Sequence, residues 1–161
     1  MRYTLPLLIA GLTATTAVQA DWKDDLKSAA KQQAQTQAET SLGLPQPSPA
    51  GAKVYFINLK DGDTVKSPFV VQFGLKGMGV TAAGLQKENT GHHHLLIDSP
   101  VVDYSTSLPM TEQIKHFGGG QTEMELSLKP GKHTLQLLLA DWKHQPHNPA
   151  VQSEKITITV Q

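Results

Sequence analysis

Cysteine is absent from all 161 residues. A thiolate nucleophile, a zinc–thiolate site and an iron–sulfur cluster are therefore excluded, and no disulfide can reinforce the fold. Arginine is nearly absent: Arg2 is the only one. Bidentate recognition of phosphates and base edges leans on arginine. The chain is also neutral overall, with 14 basic and 14 acidic residues. Both facts argue against nucleic acid as a partner.

Apolar runs are short as well. A membrane-spanning helix needs about 18 or more apolar residues in succession, and the run near the start falls short of that. Residues 1–20, MRYTLPLLIAGLTATTAVQA, read instead as an export signal. Arg2 supplies the positive n-region, an apolar core runs from Leu5 to about Leu12, and Val18 and Ala20 occupy the −3 and −1 positions of a small-residue cleavage site. No lipobox cysteine follows. The expectation is a periplasmic or secreted chain of one domain, with no membrane span in its mature form.

Three parts follow the signal. Residues 21–42, DWKDDLKSAAKQQAQTQAETSL, are rich in Ala, Gln, Lys and Glu, with a narrow apolar stripe through Trp22, Leu26, Ala29, Ala30 and Leu42. This spacing predicts a helix that Asp21 caps and Gly43 ends. It would be marginal alone and is a candidate contact for a partner. Residues 43–52, GLPQPSPAGA, read as a proline-rich spacer. From Lys53 to Gln161 the pattern is β. VYFINL (54–59), PFVVQFGL (68–75), HHHLLID (92–98), EMELSL (123–128), HTLQLLLAD (133–141) and KITITV (155–160) are candidate strands between turn signals. An immunoglobulin-like β-sandwich of about seven strands is predicted.

What the chain has in quantity is histidine: seven, all in its second half. Three stand in a row in GHHHLLID (91–98). On a strand, alternate side chains point to opposite faces. His92, His94 and Leu96 then share one face, and His93, Leu95 and Ile97 the other. A pair at i, i+2 can hold one metal ion with help from a neighbouring strand or loop. His116 precedes three glycines in HFGGGQTE, His133 opens the strongest candidate strand, and His144 and His147 lie in the loop DWKHQPHNP after that strand. The helical H-E-x-x-H motif is missing. His133 and the 144/147 pair fall at opposite ends of one strand, so the seven cannot form a single site. Either His92–His94 join His144 and His147, as antiparallel pairing favours, or they join His133 and His116. Imidazole without thiolate suits copper, zinc or nickel. Asp98, Asp103, Glu112 and Asp141 are candidate oxygen ligands or supporting partners.

Other motifs carry less. FGGGQTE lacks the Gly-Lys-Ser/Thr of a phosphate loop and reads as a flexible turn, where glycines let the backbone approach a ligand or His116. No serine has a nucleophile-elbow context. Glu123 and Glu125 share the solvated face of a strand whose Met124, Leu126 and Leu128 point inward. Met78, Met110 and Met124 are scattered and form no methionine-rich copper tract.

At GHHHLLID, HFGGGQTE, PGKHTLQLLLAD and the closing H-x-x-H followed by SEKITITV, the chain resembles a bacterial family of unknown function, domain-of-unknown-function family forty-three ninety-nine. The likeness spans roughly residues 53–161. It implies a small exported β domain, implies no activity, and marks the segments holding His92, His93, His94, His116, His133 and His144 as signature segments. The combined expectation is a non-enzymatic protein binding copper or zinc through residues among His92, His94, His116, His133, His144 and His147. The alternative is a binding or structural module of the cell envelope that meets a protein partner.

Overall fold

The computed structural model describes residues 22–100 and 102–161. The export-signal pattern of residues 1–20, and the capping position Asp21, lie outside the described residues. The chain divides into two compact units, the second running Gln35–Gln161. The helix α1 (Trp22–Ser41) crosses that boundary. Asp24 and Asp25 sit in its first turn, where the N-terminal end of the helix dipole favours negative charge. Asp24 also accepts from Lys27 at 3.3 Å. Trp22 and Leu26 are exposed. None of the described helices is long and apolar enough to cross a membrane.

Two sheets form a β-sandwich. The smaller has the order β1 (Lys53–Phe56), β3 (Phe69–Lys76), β7 (Glu123–Leu126). The larger has the order β2 (Thr64–Val65), β9 (Ile156–Val160), β8 (Gly131–Ala140), β5 (Thr90–Ile97), β4 (Gly79–Val80). A short β6 (Ile114–His116) also pairs with β5. Because β8 occupies one side of β5, β4 and β6 share the other side, end to end.

Period-2 alternation explains the core. Val54, Val71 and Phe73 from the smaller sheet meet Leu95, Ile97, Leu135, Leu137, Leu139, Ile158 and Val160 from the larger. Burying each such side chain contributes about 1.5–3 kcal/mol. Met124 packs against this core from β7, and Glu123 and Glu125 face solvent. A second, smaller cluster lies on the opposite face of the larger sheet: Leu96, Ile114, Leu138 and Ala140, covered by Leu108 with Val102 and Tyr104. That face of the sheet is therefore roofed by loops instead of open to water, which positions the site described next.

Among the described residues there are nine strands, where the sequence offered six candidates within an expected total of about seven. The three without a candidate, β2, β4 and β6, are two or three residues long. Such elements are defined by a partner strand rather than by their own periodicity. The proline-rich segment is extended, but it is not a free spacer. Asn148 N–H donates to Gln46 O at 2.9 Å, and Ser48 Oγ donates to Pro149 O at 2.7 Å. The segment thus straps the loop that follows β8.

Candidate metal centre

The site begins with the middle of β5. In register with β8, His92 opposes Ala140, His93 opposes Leu139 and His94 opposes Leu138. His92 and His94 share the loop-roofed face with Leu96, and their ring centroids are 4.7 Å apart. His93 points the other way, into the core, with its ring 5.4 Å from that of Phe73. All three are at most 2% exposed. The histidines thus lie within the strand, on the faces of the sheet.

The edge strand β6 adds the next ring. Its register sets His116 directly opposite His94, with centroids 5.2 Å apart. Gly118 in the glycine run is explained here: a Cβ there would lie 2.7 Å from His116 Nε2, so a larger residue would push that ring aside.

His144 comes from the loop after β8, and Asp141 shapes that loop. Asp141 Oδ1 accepts from the N–H groups of Lys143 at 2.8 Å and Gln145 at 3.0 Å. The Asp141 carbonyl accepts from His144 N–H at 2.9 Å. The tight turn leaves His144 with φ of 67°, a left-handed conformation that a non-glycine residue adopts only when its surroundings enforce it. The roof is tied to this turn. Leu108 N–H donates to His144 O at 2.8 Å, Ser107 Oγ to Lys143 O at 3.0 Å, and Gln145 Nε2 to Ser105 O at 2.9 Å.

Four imidazoles therefore converge. His144 Nε2 lies 3.0 Å from His116 Nε2, and the His92 centroid lies 4.9 Å from each of these two rings. One nitrogen from each of His92, His94 and His116 falls within 4.8 Å of the others. An ion at the centre of a triangle with sides of 4.8 Å would sit about 2.8 Å from each nitrogen. Ring rotation must close about 0.7 Å to reach the zinc–imidazole bond length of about 2.0–2.1 Å. Two nitrogens bound to one ion at that length are about 2.9–3.4 Å apart, depending on geometry. The His116–His144 spacing already lies in that interval.

The electrostatics agree with the geometry. Both nitrogens of His92 and Nδ1 of His94 are buried without a hydrogen-bond partner, a cost that calls for an occupant or a function. Burial first, and the neighbouring imidazoles second, push His92 down to about 3 and His94 to about 2. Burial, then His144, also lowers His116. Neutral imidazole is the form that binds a metal, and the pocket supplies it.

Two other histidines are placed elsewhere. His133 sits toward the opposite end of β8. Its Nδ1 is 2.6 Å from Asp98 Oδ2 and its Nε2 2.9 Å from Lys129 O. Both neighbours are acceptors, so only the imidazolium, with two N–H groups, satisfies both. Asp98 accordingly raises its pKa. His147 is buried against Gly91, where a Cβ would come within 3.0 Å of its ring. Its Nδ1 is directed to Leu139 O at 3.5 Å, and burial lowers its pKa. Neither joins the convergent nitrogens. The structure thus combines one histidine from each alternative grouping: His144 from the first and His116 from the second. Among the described residues no carboxylate enters the cluster. Asp98 serves His133, Asp103 accepts from Ser105, Asp141 shapes the turn, and Glu112 is exposed.

Of these roles, that of Asp141 is the one the sequence concealed. An Asp-x-x-His spacing after a strand is a usable signal, because an aspartate accepting from N–H groups two and four residues on folds a turn. No curated protein matches the chain. The profile described as Domain of unknown function (DUF4399) matches residues 71–161, from the middle of β3 through β9 and including all seven histidines. With more than half of its length matched, the chain belongs to the family of the Domain of unknown function (DUF4399).

Proposed function

We propose that this protein binds one divalent transition metal ion, copper or zinc, through His92, His94, His116 and His144. The role is delivery or sequestration rather than catalysis, and it is carried out in the periplasm or outside the cell. The observation that carries this reading is the convergence of one nitrogen each from His92, His94 and His116 within 4.8 Å on a roofed sheet face, with His144 Nε2 3.0 Å from His116 Nε2 and with ring nitrogens of His92 and His94 buried without a partner. An all-imidazole donor set without thiolate or carboxylate suits Cu(II) and Zn(II), and disfavours the hard, oxygen-seeking cations. The export-signal pattern of residues 1–20 supports the location.

The test is calorimetric titration of the signal-free, tag-free chain with Cu(II) and with Zn(II) at pH 7.5, followed by thermal melts. Saturable one-to-one binding is expected. At a free-metal concentration of about 100 times Kd, stabilisation should reach about 2.7 kcal/mol. That corresponds to a rise in Tm of about 5–10 °C for a chain of this size. Absence of both heat and Tm shift with excess metal would overturn the reading.

A further inference from the structure

Whether the proposed centre is closed or open is decided by what lies above the rings. A pocket of about 430 Å³ opens directly onto His94, His116 and His144. His92 is fully buried and does not line it, so His92 forms the floor. An ion held by these nitrogens has imidazoles on its protein side and the pocket on the other. Four imidazoles satisfy a four-coordinate ion, but an ion that faces a cavity can expand to five-coordinate and take an exogenous ligand.

The walls do not supply a fifth donor. No carboxylate lines the pocket. Met110 does, but it is 83% exposed. Nor is the pocket a loose gap. The Leu108 N–H and Ser107 hydroxyl bonds to the His144 loop hold its wall in fixed relation to a ligand residue. The volume falls in the range of small-molecule sites, about 300–1,000 Å³. Apart from the imidazoles, the sole ionisable residue lining the pocket is the cationic Lys115. Lys115 alternates with His116 and opposes the core residue Leu95, so its side chain leaves from the other face; the charge an occupant meets is that of the ion itself, which favours an anion.

Building on the four-imidazole reading, we propose that the bound metal expands its coordination toward this pocket and takes a compact anionic Lewis base there as a fifth ligand. The occupant's lone pair adds a fifth bond to the ion, and its remaining atoms occupy the pocket. No bond within the occupant needs to break.

The experiment starts from the Cu(II)-loaded chain, with metal retention verified after desalting. Sodium azide is the probe, followed by the azide-to-copper charge-transfer band and the copper electron paramagnetic resonance spectrum. A saturable new band with an altered spectrum is expected. In Thr111→Phe, which narrows the pocket from a wall residue that is not a ligand, the azide midpoint should rise about tenfold while copper affinity stays within about twofold. Three outcomes would overturn the proposal with the metal reading intact: copper bound with no response to azide; a response unchanged by Thr111→Phe; or a response only in Met110→Ala, which would place the thioether in the position. Failure of copper to bind at all would instead remove the four-imidazole reading, and this proposal with it.

Discussion

The same residue type occupies two opposite environments in this molecule. His133 has a carboxylate on one nitrogen and a carbonyl on the other, and Asp98 raises its pKa. His92 and His94 have burial, other imidazoles and unpartnered ring nitrogens, and their pKa values are lowered to about 3 and about 2. The first environment fixes a proton, and that histidine is finished as a structural piece. The second excludes the proton and leaves lone pairs converging on one another. What separates a structural histidine from a candidate ligand is therefore not its place in a histidine-rich segment. It is the charge and the vacancy around its nitrogens together with their convergence on other imidazoles, because His93 also has both ring nitrogens unpartnered but faces Phe73.

The sharpest way to break this contrast is to remove each site in turn. His92→Ala/His94→Ala should lower Cu(II) or Zn(II) affinity by at least about 100-fold, equivalent to about 2.7 kcal/mol. His133→Ala should leave affinity within about twofold, since nothing connects it to the convergent nitrogens. Calorimetric titration of the two variants reads both outcomes. Equal losses in the two variants would erase the distinction.

Acid should act on the two sites with opposite sign. A histidine whose folded pKa lies below its unfolded value contributes stability in full above about pH 6.5, and loses it as pH falls toward the folded pKa. His92, His93 and His94 all behave this way, with folded values of about 3, 4 and 2. Metal-free protein should therefore lose stability below about pH 6.5, by up to about 1.4 kcal/mol per pH unit for each histidine. His93 is the informative one, because it faces Phe73 and not the cluster. His93→Leu should gain on the native chain by up to about 3 kcal/mol between pH 6.5 and 4, with metal affinity at pH 7.5 unchanged. Denaturant melts across that range check it. The lowered values also mean that proton competition for the metal begins below the ordinary histidine range. At pH 5.5 His92 and His94 should therefore still be free to bind metal.

Much of this was legible in the sequence, and the limits have physical causes. Strict alternation in β5 places His92 and His94 on one face and His93 on the other without any structure. The long strands β3, β5, β8 and β9 announce themselves because each buries a whole face. β6 does not, because three residues carry no period and Lys115 interrupts its apolar character. His116 reaches the cluster only because β6 pairs with β5 opposite His94, a long-range register that no local pattern encodes. His144 and His147 are three residues apart and look equivalent in sequence. They diverge because the Asp141 turn raises His144 over the sheet face, while the Ala140–Pro146 bridge folds the chain back and seats His147 against Gly91.

A subtler change should loosen the cluster without deleting a ligand. Gly118→Ala puts a methyl group against the His116 ring, which must shift away from His144. Metal affinity should fall about tenfold, or about 1.4 kcal/mol, with a smaller loss of metal-free stability. Gly84→Ala is the comparison. Gly84 has a left-handed φ of 80° but open space around its Cβ position. It should therefore lose stability from backbone strain while keeping its affinity for metal.

The smallest effect belongs to the finished site. His133 has a raised pKa, so its pairing with Asp98 contributes fully below about pH 6.5 and is lost as pH climbs through the elevated folded value. Burial alone would raise Asp98, but the hydrogen bonds from His133 and Thr134 outweigh it and lower its pKa. Its share of stability persists above about pH 4 and disappears as pH falls through that lowered value. The pair thus works in a window from about pH 4 to somewhat above 6.5. Asp98 is 43% exposed along its side chain, so solvent screening holds the contribution to about 0.5–1 kcal/mol. His133→Gln should cost that amount at pH 6 and almost nothing at pH 9, as read by urea unfolding. A constant penalty at both pH values would mean that packing, rather than charge, holds His133 in place. The opposition between a proton-holding and a proton-excluding histidine site would then rest on the cluster alone.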